Sequence, residues 1–377
     1  MFVELRERDF EAFFDAPFVA YGARSPYVSP LKGDLKRFLS DQNPLVSGAG
    51  EGALTYFTAH RGNRVVGRIT AHVHGASNRL HGVARGYFGY FECGNDAEAA
   101  RALLGAAEGW CRARGLREIA GNFNLTAMQQ IGVVTEGFDH APYLDQTWSP
   151  PHIARHLTEN GYEPAFPMAT MEVRNLQAAP DMVMGPKQQA VLDNPDFTFA
   201  PITRASIGQR IEEARLILNA SFAENPMFVP VSAEEFNFQA RDMKWVMDRR
   251  ISAVLHHKSQ PAGCIICVPD LNPFLKRIRS RIGVTTPWHF IRHRMTNTRA
   301  IVIFAGVMPQ LRGQGVNPVI LNHVMQNAKQ AGYTEVGNTW IADVNPMSLA
   351  QAGKAGSHRM HRLHLFGKTL QPPKQST

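Results

Sequence analysis

The chain of 377 residues lacks the features that mark membrane-spanning and secreted proteins. No window holds about 18 uninterrupted apolar residues, which predicts no transmembrane helix. The first residues, MFVELRERDFEAFF, mix acids with bases and do not match the basic and apolar regions of a secretory signal. Only four cysteines occur, so no disulfide framework is expected. We therefore expect a reducing, cytoplasmic location.

Motifs for metal binding and covalent catalysis are also missing. Cys264 and Cys267 form a single C-x-x-C pair inside a β-branched apolar run, with no second pair to complete a zinc site. We interpret them as buried strand residues, with metal or redox chemistry as the alternative. The chain has no G-x-S-x-G nucleophile elbow, no nucleoside-triphosphate loop and no triple-glycine dinucleotide loop. No metal site is predicted.

The composition is that of a folded globular protein. Hydrophobic residues make up 44% of the chain and charged residues 19%. The length favours two domains rather than one core. A net charge of +8 favours anionic partners, and nucleic acid, an anionic membrane surface and the phosphates of coenzyme A all qualify.

Two segments of the chain share one order of elements. Each has a pair of strands, then a further strand, a helix and another strand, which predicts a mixed α/β sheet in each. The stretch between them contains three prolines and no sustained period. We therefore expect a first domain at 1–175, a linker at 176–195 and a second domain at 196–377.

A glycine-rich turn in the second domain carries the clearest functional pattern. An apolar strand, Ile301–Val307, leads into Gln310-x-x-Gly313-x-Gly315, and an amphipathic helix follows. Glycines let backbone N–H groups converge, and a helix N-terminus favours an anion. The pattern resembles the pyrophosphate loop of the GNAT acyltransferases, Arg/Gln-x-x-Gly-x-Gly/Ala. A plain β–α turn is the alternative.

Further segments extend this resemblance over the whole chain, to a family of tandem GNAT-like proteins that includes bacterial ceramide synthases. The matching segments are YVSPL (27–31), DQNPL (41–45), GYFGYFEC (86–93), GNFNLT (121–126), TEGFD (135–139), PDLNPF (269–274), the glycine turn and WIADVNPM (340–347). The resemblance implies an α/β fold of two GNAT-like domains, each a mixed sheet flanked by helices. The first has an acidic turn, GNDAEAA, in place of the loop, so we expect a degenerate copy that shapes the acceptor site.

The resemblance also implies a reaction. Family members transfer a long-chain acyl group from acyl-CoA to the amine of sphinganine or 3-ketosphinganine, with no permanently bound cofactor. The lack of a nucleophile elbow favours direct attack on the thioester. The residues expected at the acyl-CoA are Gly306, Val307, Met308, Gln310, Arg312, Gly313, Gln314, Gly315 and Val316. An acyltransferase for another amine, or a non-catalytic acyl-CoA or nucleic-acid binding module, remains an alternative.

Five side chains are candidates for the chemistry: Asp343, Asn345, His358, His361 and Glu92. Asp343 and Asn345 follow the strand after the glycine-turn helix, and either face the cleft or cap a loop. Many GNAT enzymes protonate the departing thiolate with a tyrosine, which this region lacks, so His358 or His361 could replace it, unless both are surface residues. Glu92 ends an aromatic strand and is either a base or a helix cap.

Other polar residues are candidates for contacts with the acceptor. They are Asn122, Asn124, Glu136, Asp270 and Asn272, and for the last two a turn is the simpler interpretation. The segment Leu275–Arg299 carries seven arginines and lysines and no acid, interleaved with Trp288 and Phe290. This pattern favours peripheral contact with the anionic inner membrane over nucleic-acid binding, with a solvated insertion as the alternative.

Overall fold

The computed structural model describes residues 2–47, 53–179, 181–225, 227–241 and 243–370. The start of the first expected domain and the end of the second expected domain lie outside these residues. The described strands are β1 (Val3–Glu7), β2 (Ala53–Arg61), β3 (Arg64–Val73), β4 (Arg85–Cys93), β5 (Glu118–Gly121), β6 (Val133–Glu136), β7 (Glu163–Val173), β8 (Phe197–Ala200), β9 (Ala253–His257), β10 (Gln260–Pro269), β11 (Arg299–Val307), β12 (Glu335–Asn338), β13 (Ile341–Ala342) and β14 (His358–Thr369).

The described α-helices are α1 (Phe10–Tyr21), α2 (Lys32–Phe38), α3 (Pro44–Ser47), α4 (Gly75–His81), α5 (Ala97–Arg112), α6 (Pro151–Glu159), α7 (Pro186–Asp193), α8 (Ile207–Ser221), α9 (Ala233–Gln239), α10 (Met243–Val246), α11 (Asn272–Arg277), α12 (Thr286–Thr296), α13 (Val316–Gln330) and α14 (Pro346–Lys354). Two 3-10 turns lie at Leu176–Ala178 and Pro309–Leu311. None of the helices in the described ranges is long and apolar enough to cross a bilayer.

The chain forms two compact units. Unit 1 contains the described residues up to Ala169, then Asn272–His289 and the residues from His361 onward. Its sheet has the order β1-β2-β3-β4-β5-β14, in which only the β4–β5 pair is parallel. The core of this sheet includes α5, whose Asp96 cap accepts a hydrogen bond from the Ala99 N–H at 3.1 Å.

Unit 2 contains Thr170–Leu271 and Phe290–Met360. Its strands follow the order β7-β12-β11-β10-β9-β8, and here too only one pair, β11–β12, is parallel. α13 packs its buried residues Val319, Ile320 and Val324 on this sheet. Each unit is thus a mixed sheet flanked by helices, which confirms the expected fold class.

The units divide the chain differently from the expected ranges 1–175, 176–195 and 196–377. β7, from the first half of the chain, completes the sheet of unit 2. β14, near the C-terminus, completes the sheet of unit 1. The expected linker is also folded into unit 2, because Leu176 and Val191 are buried in its core. Backbone pairing at a sheet edge does not depend on sequence position, so the pattern of residues alone cannot show this exchange.

Candidate functional site

The two strands of the parallel pair in unit 2 separate partway along their length. β11 and β12 pair from Arg299↔Glu335 to Val302↔Asn338, and β11 then continues to Val307 beside β10 but without β12. The register between β10 and β11 shifts at the same level, between Ile266 and Cys267. The segment after α13 forms two short strands, β12 and β13, rather than one. A cavity of about 180 Å³ opens at the separation.

The walls of this cavity are apolar with neutral polar groups between them. Its larger apolar side chains are Met171, Val173, Leu218, Phe222, Ile265, Val302, Ile303, Phe304, Leu321, Met325, Val336, Trp340 and Ile341. Its polar side chains are Asn225, Asn317, Asn338, Thr339, Asn345, Ser348, Gln351 and Ser357. Among the described residues that line it, no side chain is acidic, basic, histidine, cysteine or tyrosine. The site therefore suits an uncharged, partly apolar ligand.

The glycine turn lies between β11 and α13, as expected. Gly313 and Gly315 have φ angles of 73° and 92°, which favour glycine, and α13 begins at Val316. Gln314 Nε2 donates to the Gln310 carbonyl at 2.8 Å and tightens the turn. The arrangement leaves a helix N-terminus after a glycine-rich turn, which is a typical anion site.

Two neighbouring cations are held at this turn. Arg312 donates to the Ser221 carbonyl at 2.6 Å and to Glu224 at 3.2 Å, so its guanidinium ties the turn to the end of α8. Lys187 Nζ donates to the Gly313 carbonyl at 3.1 Å. Lys187 belongs to α7, within the stretch expected to be a linker, so the sequence contained no signal for its position.

The backbone before the turn is less available than expected. The Val307 carbonyl accepts a hydrogen bond from Ser221 Oγ at 2.9 Å, and the Met308 N–H donates to the Ala262 carbonyl at 2.8 Å. Gly306 is close to the same serine, since a Cβ there would lie 2.7 Å from Ser221 Oγ. The Val307 carbonyl and the Met308 N–H thus already have protein partners, and contact of Gly306, Val307 and Met308 with acyl-CoA stays a prediction.

The polar pair Asp343 and Asn345 does not lie on an extended segment. Asp343 sits in a turn in which the Asn345 N–H donates to the Ala342 carbonyl at 2.9 Å. Asn345 caps α14, and its side chain accepts from the Ser348 N–H at 3.2 Å. Asn345 lines the cavity whereas Asp343 does not. The Asp343 and Asn345 side chains therefore do not enter the cavity as a pair.

The histidines proposed as acids lie in β14 and do not line the cavity. His358 pairs with Glu172 at 3.1 Å, and Glu172 alternates along β7 with Met171 and Val173, which do line it. His361 belongs to unit 1, where it is fully buried with its Nε2 at 3.1 Å from the His140 carbonyl. His358 and His361 are three residues apart in a strand, and the strand period of two places them on opposite faces.

In unit 1 the corresponding strand separation is closed by side chains. β4 and β5 pair only from Arg85↔Glu118 to Tyr87↔Ala120. Beyond that point the buried Asn122 and Asn124 side chains accept hydrogen bonds from the Phe91 and Tyr90 N–H groups, at 3.1 and 2.6 Å. Both asparagines therefore satisfy the strand backbone rather than a substrate.

Glu92 is likewise part of a buried structural network. Its carboxylate accepts from Arg68 Nε at 2.5 Å. The same guanidinium donates to the Phe13 carbonyl and to the Tyr27 hydroxyl, each at 2.8 Å. The helix after β4 is capped by Asp96, so Glu92 is not its cap. The pairing with Arg68 does not agree with Glu92 as a free base, and the Asp96 cap does not agree with Glu92 as a helix cap.

The remaining acceptor candidates are dispersed. Glu136 is exposed at the end of β6 and faces Arg362 in the register with β14. Asp270 is fully buried in unit 2, 3.5 Å from Arg299 Nε. Asn272 begins α11 in unit 1 and donates to the Pro142 carbonyl at 2.9 Å. Glu136 and Asn272 thus belong to unit 1, and Asp270 belongs to unit 2.

One unusual carboxyl group, that of Asp145, lies in no motif of the sequence that indicates a site. Burial raises the pKa of Asp145 to about 6, and its backbone has a φ of 61°. A strained backbone with a perturbed carboxyl group is often found at functional sites.

The cysteines behave as expected, since Cys264 and Cys267 are buried thiols, and burial raises the pKa of Cys264 to about 12. Within the described ranges, no group of three or more His, Cys, Asp or Glu could hold a metal ion.

Known proteins with similar sequences were found over most of the chain. Protein YghO of Escherichia coli (strain K12) is 23% identical over 377 residues, which covers 97% of this chain and 94% of that protein. A bacterial ceramide synthase of Caulobacter vibrioides is 22% identical over 322 residues, covering 83% of each chain. No family model matches the sequence.

Solved structures with the same fold cover nearly the whole chain. A tandem GNAT protein from the clavulanic acid biosynthesis pathway superimposes with a TM-score of 0.58 and 14% identity, over 99% of this chain and 100% of that one. A GCN5-related N-acetyltransferase from Sphaerobacter thermophilus gives a TM-score of 0.53 and 12% identity, over 98% and 96%. The chain is therefore similar in sequence to a bacterial ceramide synthase, and it has the fold of tandem GNAT proteins.

Proposed function

We propose that this protein is an acyl-CoA-dependent N-acyltransferase that transfers a long-chain acyl group to the amine of a sphingoid base. The observation that carries the proposal is the cavity at the separation of β11 and β12, next to the glycine turn at the start of α13. Such a site can hold phosphates at the turn and an uncharged arm between the strands. The similarity to the Caulobacter vibrioides ceramide synthase supports the choice of acceptor.

The chemistry proposed for this site is direct attack of the amine on the thioester. The amine nitrogen bonds to the acyl carbon, and the C–S bond breaks to release the thiol of coenzyme A. Because the cavity-lining residues that the structure describes are uncharged, we assign the acceleration mainly to alignment of the two substrates and to neutral hydrogen-bond donors. The amine proton would leave through water rather than to a lining side chain.

The decisive experiment measures the reaction directly. Purified protein is incubated with a long-chain acyl-CoA and either sphinganine or 3-ketosphinganine, and thiol release and the amide product are followed together. We expect equal amounts of thiol and amide. Amide formation only with an amino acid or a peptide amine would favour another acyltransferase, and tight acyl-CoA binding without product would favour a binding module.

We further propose that the segment Leu275–Arg299 contacts an anionic membrane. It contains exposed Ile282 and Val284, and helix α12 presents Trp288, Ile291 and Met295 at helical spacing to solvent. The segment has no acidic residue, and five of its arginines are exposed. Exposed apolar side chains among basic ones suit an interfacial position at anionic lipid. An enzyme with insoluble substrates would gain access to them there.

A further inference from the structure

Two polar atoms in the cavity wall have no hydrogen-bond partner among the described protein atoms. They are Gln351 Nε2 and Ser357 Oγ, and both atoms are buried. Gln351 projects from α14 on the face that also carries Ser348, Ala352 and Ala355, all of which line the cavity. A buried donor without an acceptor is unfavourable, and so such atoms need an explanation in the molecule's function.

The amide of Gln351 is held in one orientation. Its Oε1 accepts a hydrogen bond from Asn317 Nδ2 at 2.5 Å. Asn317 is the second residue of α13, directly after the glycine turn. This bond occupies the oxygen of the Gln351 amide and leaves its NH₂ group inside the cavity, near the helix start where phosphates would bind.

The surroundings of this NH₂ group determine what it can bind. An amide NH₂ donates to oxygen acceptors, and the described cavity lining carries no charge. A carbonyl oxygen on an uncharged chain is the acceptor that fits both conditions. The pantetheine arm of an acyl-CoA has two amide carbonyls and a thioester carbonyl, and it extends from the phosphates.

We infer that Gln351 binds a carbonyl oxygen of the acyl-pantetheine arm, with Asn317 as the residue that positions it. This inference rests on the proposed function, because it assigns part of the same ligand to a named side chain. Ser357 Oγ is a second polar atom in the same wall. Gln351 contacts the pantetheine arm in this proposal and does not contact the nucleotide half of coenzyme A.

Two substitutions test the inference. Gln351→Leu removes the NH₂ donor, and Gln351→Glu keeps an acceptor for Asn317 but places an oxygen where the carbonyl would be. We expect dissociation constants for coenzyme A that are about 3- to 10-fold higher in the first variant and at least as high in the second. The nucleotide half of coenzyme A, which has no pantetheine arm, should bind to both variants as it does to wild type.

Stability separates a ligand-binding role from a structural one. Gln351→Leu also removes the acceptor of Asn317 Nδ2 and should lower the melting temperature of the free protein slightly, whereas a purely structural role would give this loss of stability without any loss of coenzyme A affinity. Gln330→Leu, at the exposed end of α13, is the matched control and should change neither binding nor stability.

The outcomes distinguish the inference from the proposed function. Wild-type affinity for coenzyme A in both folded Gln351 variants would overturn the inference while leaving the proposed function intact. Equal losses for coenzyme A and for its nucleotide half would also overturn it, because the effect would then not involve the arm. No binding of coenzyme A or acyl-CoA by the wild type would overturn the proposed function and this inference with it.

Discussion

At the scale of single residues, the two glycines of the turn have different constraints. A Cβ on Gly315 would lie 2.9 Å from the backbone carbon of Lys187, so this glycine allows α7 to approach the turn closely. Nothing lies within 4 Å of a Cβ on Gly313, whose φ of 73° asparagine tolerates well. Only Gly313 is therefore suitable for testing phosphate binding without disturbing the packing.

The first prediction compares Gly313→Asp with Gly313→Asn. The two side chains have nearly the same shape, but only aspartate adds a negative charge at the start of α13. We expect coenzyme A to bind Gly313→Asp at least about tenfold more weakly than Gly313→Asn, with similar melting temperatures. Isothermal titration and thermal unfolding measure the two quantities. Equal affinities in the two variants would contradict the assignment of phosphate to this turn.

The second prediction concerns Asp145 and pH. Burial raises its carboxyl pKa from 3.8 to about 6. In this interval the folded state holds a proton that the unfolded state has lost, so the stability is present at low pH and falls as pH rises through 6. Asp145→Asn should match wild type near pH 3.5 and exceed it by about 1–2 kcal/mol at pH 7.

Urea unfolding of both proteins at several pH values measures this difference. Asp139→Asn in the same loop region is a control, because Asp139 is exposed. A constant difference between Asp145→Asn and wild type across the range would contradict a titration of Asp145.

At the scale of elements, α11, α12 and the loop between them combine folding contacts with exposed residues. Arg281 forms an ion pair with Asp15 and lies over the Phe14 ring at 5.0 Å, and Arg279 lies over Phe18 at 5.8 Å. These two arginines therefore stabilise unit 1, and reversing their charge would disturb the fold. Arg277 and Arg294 are exposed and more suitable for testing lipid binding.

The third prediction is that Arg277→Glu with Arg294→Glu releases the protein from anionic vesicles. Each basic side chain near such a surface contributes about 1 kcal/mol, so the double reversal should lower vesicle binding strongly. Added salt should lower the binding of wild type as well. Co-sedimentation with vesicles containing phosphatidylglycerol, and with neutral vesicles, measures both effects.

A control with the same change in net charge separates a local effect from a general one. Arg204→Glu with Arg249→Glu alters exposed arginines elsewhere and should leave vesicle binding close to that of wild type. Equal release by the two double variants would mean that net charge alone attracts the protein. Trp288→Ala should weaken vesicle binding with little change in stability, since its side chain is 59% exposed.

At the scale of the whole molecule, strands from each half of the chain complete the unit formed mainly by the other half. Phe366 of β14 is buried in the core of unit 1, opposite Gly121 of β5. Val173 of β7 is buried in the core of unit 2, opposite Val336 of β12. Folding of unit 1 therefore requires residues from both halves of the chain, and the sheet of unit 2 requires β7 from the first half.

The fourth prediction uses this exchange. Phe366→Ala should cost about 3–5 kcal/mol and raise amide exchange most in β5 of unit 1. Val173→Ala should cost less and raise exchange most in β12 of unit 2. Hydrogen exchange read by mass spectrometry resolves the two strands. Loosening of β12 by Phe366→Ala, with β5 unchanged, would contradict the observed pairing.

The sequence alone determined the elements and the resemblance to tandem GNAT-like proteins. Three features depend only on residues that are close in the sequence: the apolar pattern of β11, the two glycines of the turn and the helical period of α13. The expected fold class was confirmed, because a repeated order of strands and helices admits few sheet architectures. The position of the glycine turn at a helix start followed from the same local pattern.

Only the tertiary structure decided which polar residues face the cavity. Glu92, Asn122 and Asn124 lie in conspicuous motifs, yet their partners are Arg68 and the β4 backbone. Gln351 and Lys187 lie in unremarkable segments, and the fold places one in the cavity wall and the other at the glycine turn. The role of a polar side chain depends on which groups satisfy it, and most of those groups are distant in sequence.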